Sequence, residues 1–225
     1  PSISGGTPLE DTQSSSGLVI YRNAVDGTEV THFKITDITS GTLYQNDGTT
    51  SISSGSFITY AEGNAGLKLS PTGDFNGSAS FKLQASLSSV DGGLGGSVVT
   101  ASITVTAVND VPSFTIGSDQ SVVEDDDAKT VSGWATDISK GPSDESGQAL
   151  TFNISGVTAN LYAVQPSLSS SGELTYTLAD DVHGTNTITV TLSDNGGTDN
   201  SGVDTSDPQT FTITISPVAD TPSIT

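Results

Sequence analysis

The stretch ASITVTAVNDVPSF, residues 101–114, changes character halfway along. Ala101, Ile103, Val105 and Ala107 alternate with Ser and Thr, and then Asn109, Asp110 and Pro112 break the run. Strict alternation puts one face of a strand in a core and the other in water. Asn-Asp followed by a proline ends a strand, because proline has no N–H to offer a ladder. Nearly the same transition, FTITISPVADTPSI, recurs at 211–224. A strand that stops twice in the same way predicts the end of a folded unit, used twice.

Working outward from this stretch, a Pro-Ser-apolar step occurs at Pro1-Ser2-Ile3, Pro112-Ser113-Phe114 and Pro222-Ser223-Ile224, at spacings of 111 and 110 residues. Other landmarks keep step with it. Glu10-Asp11 matches Glu124-Asp125, and Asp74-Phe75-Asn76-Gly77 matches Asp181-Val182-His183-Gly184. A period this long is a whole domain and not a solenoid unit. The sequence predicts two domains, 1–110 and 111–225, with the last residues beginning a further linker or repeat.

Each unit reads as all-β. Ala79/Phe81/Leu83/Ala85 alternate in the first, and Leu150/Phe152/Ile154, Leu174/Tyr176/Leu178, Ile188/Val190/Leu192 and Phe211/Ile213/Ile215 in the second. Asp26-Gly27, Asp47-Gly48, Asn76-Gly77 and Asp91-Gly92 punctuate the runs as turns. No stretch keeps a 3.6-residue period. About seven short strands per unit predict two tandem Greek-key β-sandwiches of the cadherin/immunoglobulin-like class. Trp134 is expected in the second core, and Gly92–Gly96 in a flexible loop between the last two strands.

Charge narrows the function. Six Lys+Arg against 26 Asp+Glu give the 225-residue chain a formal net charge of −20. That field repels phosphate backbones and anionic lipid, so no nucleic-acid partner is expected. Cysteine is absent, which excludes disulfides, thiolate metal sites and cysteine nucleophiles. No apolar run approaches the roughly 20 residues of a membrane span. The missing initiator methionine predicts a piece excised from a longer protein. His32 and His183 fall in different repeats without a partner motif, and no G-x-S-x-G elbow occurs, so the chain is expected not to be an enzyme.

Calcium chemistry is what an acidic chain can supply, since the ion takes six to eight oxygens from carboxylates, carbonyls and amides. DNGGTDNSGVDT, 194–205, lacks the terminal Glu and the spacing of an EF-hand. Any site must therefore be assembled from distant segments. The competing reading of the same acids is as turn formers and solubilising charges.

Val108-Asn109-Asp110-Val111-Pro112 resembles the Asp-x-Asn-Asp-x-Pro linker of cadherin repeats. With Glu-Asp early in each unit, Asp-x-x-Gly before a late strand and LSDNGG at 192–197, the whole chain resembles the cadherin-like tandem repeats of large bacterial surface proteins and adhesins. The resemblance implies calcium bound between successive sandwiches. Carried over by position, Glu10, Asp11 and Asp74 come from the first repeat, Asn109 and Asp110 from the linker, and Asp137 and Asp194 from the second repeat. Asp144 and Glu145 are secondary additions. Glu124, Asp125, Asp181 and Asp220 form half of a following junction. Three departures matter: Ala107 stands at the linker's first acidic position, the second linker reads Val218-Ala219-Asp220, and Gln84-Ala85-Ser86 lies where a late Asp is expected.

The expected function is that of a non-enzymatic structural repeat of an extracellular, cell-surface or secreted bacterial protein, stiffened by calcium. Its partners are neighbouring repeats of the same chain. A carbohydrate- or cell-surface-binding module is the alternative, using Tyr21, Tyr44, Tyr60 or Tyr162 on a surface glycan or protein ligand. An accessory β-domain of a secreted hydrolase is another.

Overall fold

The computed structural model describes residues 1–15 and 17–219; Ser16 and residues 220–225 lie outside the description, and the Asp220 expectation with them. The chain divides into two compact units, Pro1–Val108 and Asn109–Thr225. The division falls two residues before the position expected from the Val-Asn-Asp-x-Pro step.

Unit 1 contains β1 (Ser2–Ser4), β2 (Val19–Tyr21), β3 (His32–Thr39), β4 (Gly41–Tyr44), β5 (Ser51–Ile52), β6 (Phe57–Thr59), α1 (Tyr60–Ala65), β7 (Lys68–Pro71), β8 (Gly77–Ser86) and β9 (Leu94–Val105). A four-stranded sheet runs β6-β3-β8-β9 and a three-stranded sheet β5-β4-β7, with β1 and β2 paired beside them. The alternation in β8 does what period two requires: Ala79, Phe81 and Leu83 are fully buried while Ser78 and Lys82 face out. With Phe33, Ile35, Leu43, Leu67, Leu69 and Ile103 they fill one core.

Unit 2 contains β10 (Ser113–Thr115), β11 (Gln120–Val123), β12 (Lys129–Val131), β13 (Thr136–Ser139), β14 (Thr151–Ser155), β15 (Tyr162–Leu168), β16 (Leu174–Leu178), β17 (Gly184–Ser193) and β18 (Gln209–Ser216). Its sheets run β11-β18-β17-β14 and β12-β16-β15, with a β10–β13 pair. Leu174, Tyr176, Ile188, Val190, Leu192, Phe211 and Ile213 make its core. Trp134 is in this core as expected: its ring centroid lies 4.5 Å from that of Phe211, and its indole N–H donates to Ser118 O at 2.9 Å.

Three details go beyond the all-β reading. More strands form than the roughly seven expected per unit, because strands such as β1 and β5 are too short to show alternation. The glycine run is not a loop throughout: Asp91–Gly93 is one 3₁₀ turn, and Gly95 and Gly96 already belong to β9. Helix α1, six residues long, breaks the all-strand expectation. Its signal was present as Thr59-x-x-Glu62, a capping box. The Thr59 hydroxyl accepts from Glu62 N–H at 3.2 Å, and Glu62 Oε2 accepts from Thr59 N–H at 2.6 Å.

Candidate metal-binding ends of the two units

The last strand of unit 1 leaves its sheet beside Glu10. Glu10 N–H donates to Thr106 O at 3.0 Å, which fixes the residue against the end of β9. Glu10 is buried, 2% exposed, with each carboxylate oxygen bonded. Oε1 accepts from Val108 N–H at 2.5 Å and Oε2 from the Asn76 amide at 3.3 Å. Two carboxylate oxygens carry about four lone-pair sites, so capacity for a cation remains. Next to it, Asp11 Oδ1 accepts from Asp74 N–H at 2.8 Å. The carboxylates of Asp11 and Asp74 offer oxygens within 4.8 Å of each other. Both residues have left-handed backbone, φ 58° and 56°, a conformation that Asp tolerates because its short side chain bonds locally.

Unit 2 repeats the arrangement at its own exit. Glu124 N–H donates to Ser216 O at 3.0 Å, and Glu124 Oε1 accepts from Val218 N–H at 2.7 Å. Asp125 Oδ1 accepts from Asp181 N–H at 3.1 Å, with φ 59° and 53° at these residues. His183, in the place of Asn76, brings Nδ1 to 3.5 Å from Glu124 Oε2. The structure therefore groups Glu10, Asp11 and Asp74, and separately Glu124, Asp125 and Asp181, as the repeat spacing expects.

The entry end of unit 2 is built differently. Asn109 and Asp110 begin the unit and tie its loops together. Asn109 donates through Nδ2 to Asp194 Oδ1 at 3.1 Å and to Val203 O at 2.9 Å, and its Oδ1 accepts from Gln148 Nε2 at 2.7 Å. Asp110 N–H donates to Glu145 Oε1 at 2.8 Å. Glu145 comes from the 3₁₀ turn Ser143–Gly147 and is only 6% exposed. Burial pushes its carboxyl above the usual range, against the pull of the Asp110 N–H. Glycine permits the crowding: a Cβ on Gly196 would overlap Asn109 Oδ1, and one on Gly141, at φ 123°, would overlap Glu145 Oε2.

Among the described residues, four buried side-chain oxygens have no hydrogen-bond partner, and three of them are here: Glu145 Oε2, Gln148 Oε1 and Asp194 Oδ2. Carboxylate and amide oxygens without donors are the ligand type a hard cation takes. An orphaned buried acceptor otherwise costs about 1–3 kcal/mol. Glu145 stands more centrally than the sequence suggested, and Gln148 was missed, since an amide in a polar loop gives no signal of its own. Asp137 stays apart from this group in its hydrogen bonding. It sits on β13 at φ 50°, and its Oδ2 accepts from the hydroxyls of Thr115 at 3.0 Å and Thr136 at 3.4 Å.

The aromatic candidates for a ligand platform thin out. Tyr162 is buried and donates its hydroxyl to Asn186 at 3.1 Å, which makes it a core tyrosine and takes it out of the ligand-platform alternative. Tyr60 lies under the Arg22 guanidinium, 3.5 Å from its ring centroid. Tyr21 is exposed and Tyr44 half-buried. His32 bonds its neighbour, with Nδ1 2.9 Å from the Thr31 hydroxyl.

Comparison with known proteins agrees with this architecture. Residues 109–216 match the family described as bacterial Ig domain. Among solved structures the chain is similar to human protocadherin-24 EC1-2, with TM-score 0.53 and 11% identity over 88% of this chain and 87% of that one. It is also similar to Drosophila N-cadherin EC1-4, with TM-score 0.50 and 12% identity over 97% of this chain and 50% of that one, so it spans half of that molecule. No curated protein matches the chain in sequence. At such identities the likeness to the solved structures establishes fold alone. The chain is two tandem β-sandwiches of cadherin/immunoglobulin-like fold, the second of which, over residues 109–216, matches the bacterial Ig domain family.

Proposed function

We propose that the chain is a non-enzymatic spacer of an extracellular bacterial surface protein or adhesin, whose repeats calcium stiffens where one follows the next. The observation that carries this reading is the trio of donor-less oxygens on Glu145, Gln148 and Asp194. Val108, bonded to Glu10, and Asn109, bonded to Asp194, are consecutive residues of the chain.

In this reading Glu145, Gln148 and Asp194 hold the ion from unit 2, with Asn109 and Asp110 in the tether and Glu10, Asp11 and Asp74 supplying the unit 1 share. Asp137 acts as an outer ligand, and Glu124, Asp125, Asp181 and Asp220 serve a following repeat. The ion supplies positive charge and a many-oxygen cross-link. The residues supply the rest. Glu10 and Asn109 are already fixed by N–H donors and acceptors, so ordering them on binding costs little. The carboxylates otherwise repel one another in a chain of net charge −20. Extracellular calcium sites bind at about 10⁻⁴–10⁻³ M, which fills them outside the cell. Among the described residues no helix is long and apolar enough to cross a membrane.

The test is calorimetric calcium titration of the chain, of Asp194→Asn and of Asp110→Ala, with small-angle scattering in calcium and in chelator. Saturation at 100 times the dissociation constant should add about 2.7 kcal/mol per site. Asp194→Asn should weaken binding at least about tenfold, since it removes a charge from the shell. Chelation should broaden the distance distribution. Absence of binding heat, with melting and scattering indifferent to chelator, would remove the metal and leave a plain β-sandwich spacer.

A further inference from the structure

The two units differ along one edge of the larger sheet. In unit 2 that edge is closed: β11 pairs with β18 in parallel, from Gln120↔Ile213 to Val123↔Ser216. The next outward N–H along the edge, that of Thr212, is taken by Asp119 Oδ1 at 2.7 Å. Val122 from the covering strand packs against the unit 2 core.

Flanking bonds fix the equivalent residues in unit 1. Glu10 N–H reaches Thr106 O as Glu124 N–H reaches Ser216 O, so Leu9 corresponds to Val123 and Pro8 to Val122. Here the pairing dies after one parallel bridge, Leu9↔Thr106, with Thr106 N–H donating to Pro8 O at 2.9 Å. The chemistry explains it. Pro8 has no N–H for Thr104 O, and Gly5 stands where Asp119 supplies its cap. β9 pairs with β8 on its other side, so alternation turns the N–H and C=O of Thr104, Ser102 and Thr100 toward the open edge. Among the described residues no strand covers that edge from Val98 to Thr104. A cavity of about 350 Å³ lies beside it, lined by Ile3, Gly5, Leu18, Ala101 and Ile103 among others.

Exposed sheet edges are ordinarily protected by charge, proline or cover. This one is not: residues 92–109 contain no ionisable side chain, in a chain of net charge −20. We propose that the open edge of β9 is a strand-acceptor site. It takes an extended, neutral or basic segment of a partner protein, which adds parallel to β9 between Val98 and Thr104 and sets one apolar side chain in the cavity. The direction follows from β11 in unit 2, and the apolar anchor from Leu18, Ala101 and Ile103, which line the cavity. Main-chain bonds supply the affinity in such strand addition. The charge argues against a second copy as the occupant, because two chains of −20 repel.

Amide hydrogen exchange of the full chain tests this, in calcium and in chelator alike. The probe is a synthetic peptide copying residues 118–124 with Asp119→Lys and Glu124→Lys, compared with its unsubstituted form. At saturation the lysine peptide should slow exchange at Thr100, Ser102 and Thr104 by at least about tenfold, and the acidic form should bind more weakly. In Pro8→Val, the chain's own segment should close the edge, protecting these amides without peptide and abolishing binding. Should that variant misfold, as exchange in β8 would reveal, the wild-type titration decides alone. Unchanged exchange at these amides overturns the proposal. So does protection that grows with protein concentration without peptide, which would make the occupant a second copy.

Discussion

Ser86 in unit 1 and Ser193 in unit 2 end equivalent strands, and the next residue separates the two chemistries. Leu87 and Asp194 each donate their N–H across the following loop, to Gly93 O at 2.9 Å and Asp204 O at 3.0 Å. Leu87 is 59% exposed, four residues before the 3₁₀ turn Asp91–Gly93. Asp194 turns inward to Asn109 and leaves a second oxygen without a donor. At the opposite ends the units agree, with Glu10 and Glu124 buried against the departing chain. Repetition thus preserved the end that grips the outgoing linker, while among the described residues the donor-less acceptors Glu145, Gln148 and Asp194 belong to unit 2. The same backbone frame can hold a bonded acid or an exposed Leu, and a few side chains decide which.

The largest expected effect probes the end the units share. Glu10→Ala and Glu124→Ala each remove the acceptor for the outgoing N–H, and each should cost about 1–3 kcal/mol in urea denaturation of its unit. Glu10 should cost more, because Asn76 also loses its acceptor, at 3.3 Å, whereas Glu124 faces an exposed His183 at 3.5 Å. An equal or reversed order would break the comparison.

Glu145→Gln should change sign with calcium. In chelator it should stabilise unit 2 by about 1 kcal/mol, because it removes a charge that burial disfavours. With calcium it should destabilise. The pH dependence follows from the raised carboxyl: the penalty is absent below the unfolded value of 4.5 and grows as pH rises through the higher folded value. The gap between variant and wild type in chelator should therefore open from pH 4 towards 7, and melting curves at both pH values check it.

A smaller effect is expected from Leu87→Asp, which copies one acid of unit 2 into unit 1. Stability should shift by no more than about 0.5 kcal/mol, and calorimetry should detect no added calcium site. A new site would mean that the position alone decides, and not the Glu145, Gln148 and Asn109 around it. Smallest is Asp47 in unit 1, held down to about 2 chiefly by the Thr50 hydroxyl, with the N–H groups of Thr50 and Thr49 adding to it. Its contribution is present above 3.8 and disappears as pH falls through about 2, which NMR titration of Thr50 would follow.

The tyrosines show which choice a one-dimensional reading leaves open. Tyr162 follows Leu161 out of a 3₁₀ turn, where neither alternation nor turn chemistry says which way a ring faces, and folding puts it in the core. Alternation was reliable where a strand was long: β8 and β17, ten residues each, bury the residues expected of them. It failed at β5, whose two residues are too few to show a period. Among the acids, the Glu-Asp steps and the Asp-x-x-Gly steps declared themselves by recurring at the same place in each unit. Glu145 and Gln148 have no counterpart in unit 1 to announce them.

Sequence alone determined the two-unit division, the strand character of each unit and the recurring Glu-Asp steps at Glu10 and Glu124, because these depend on spacing and period. Tertiary structure alone decided that Asn109 bonds both Gln148 and Asp194 while Asp110 bonds Glu145, and that Pro8 leaves the edge of β9 open. The physical reason is that both features arise where segments distant in the chain meet, and whether a polar atom finds a partner there depends on the neighbours that folding brings to it.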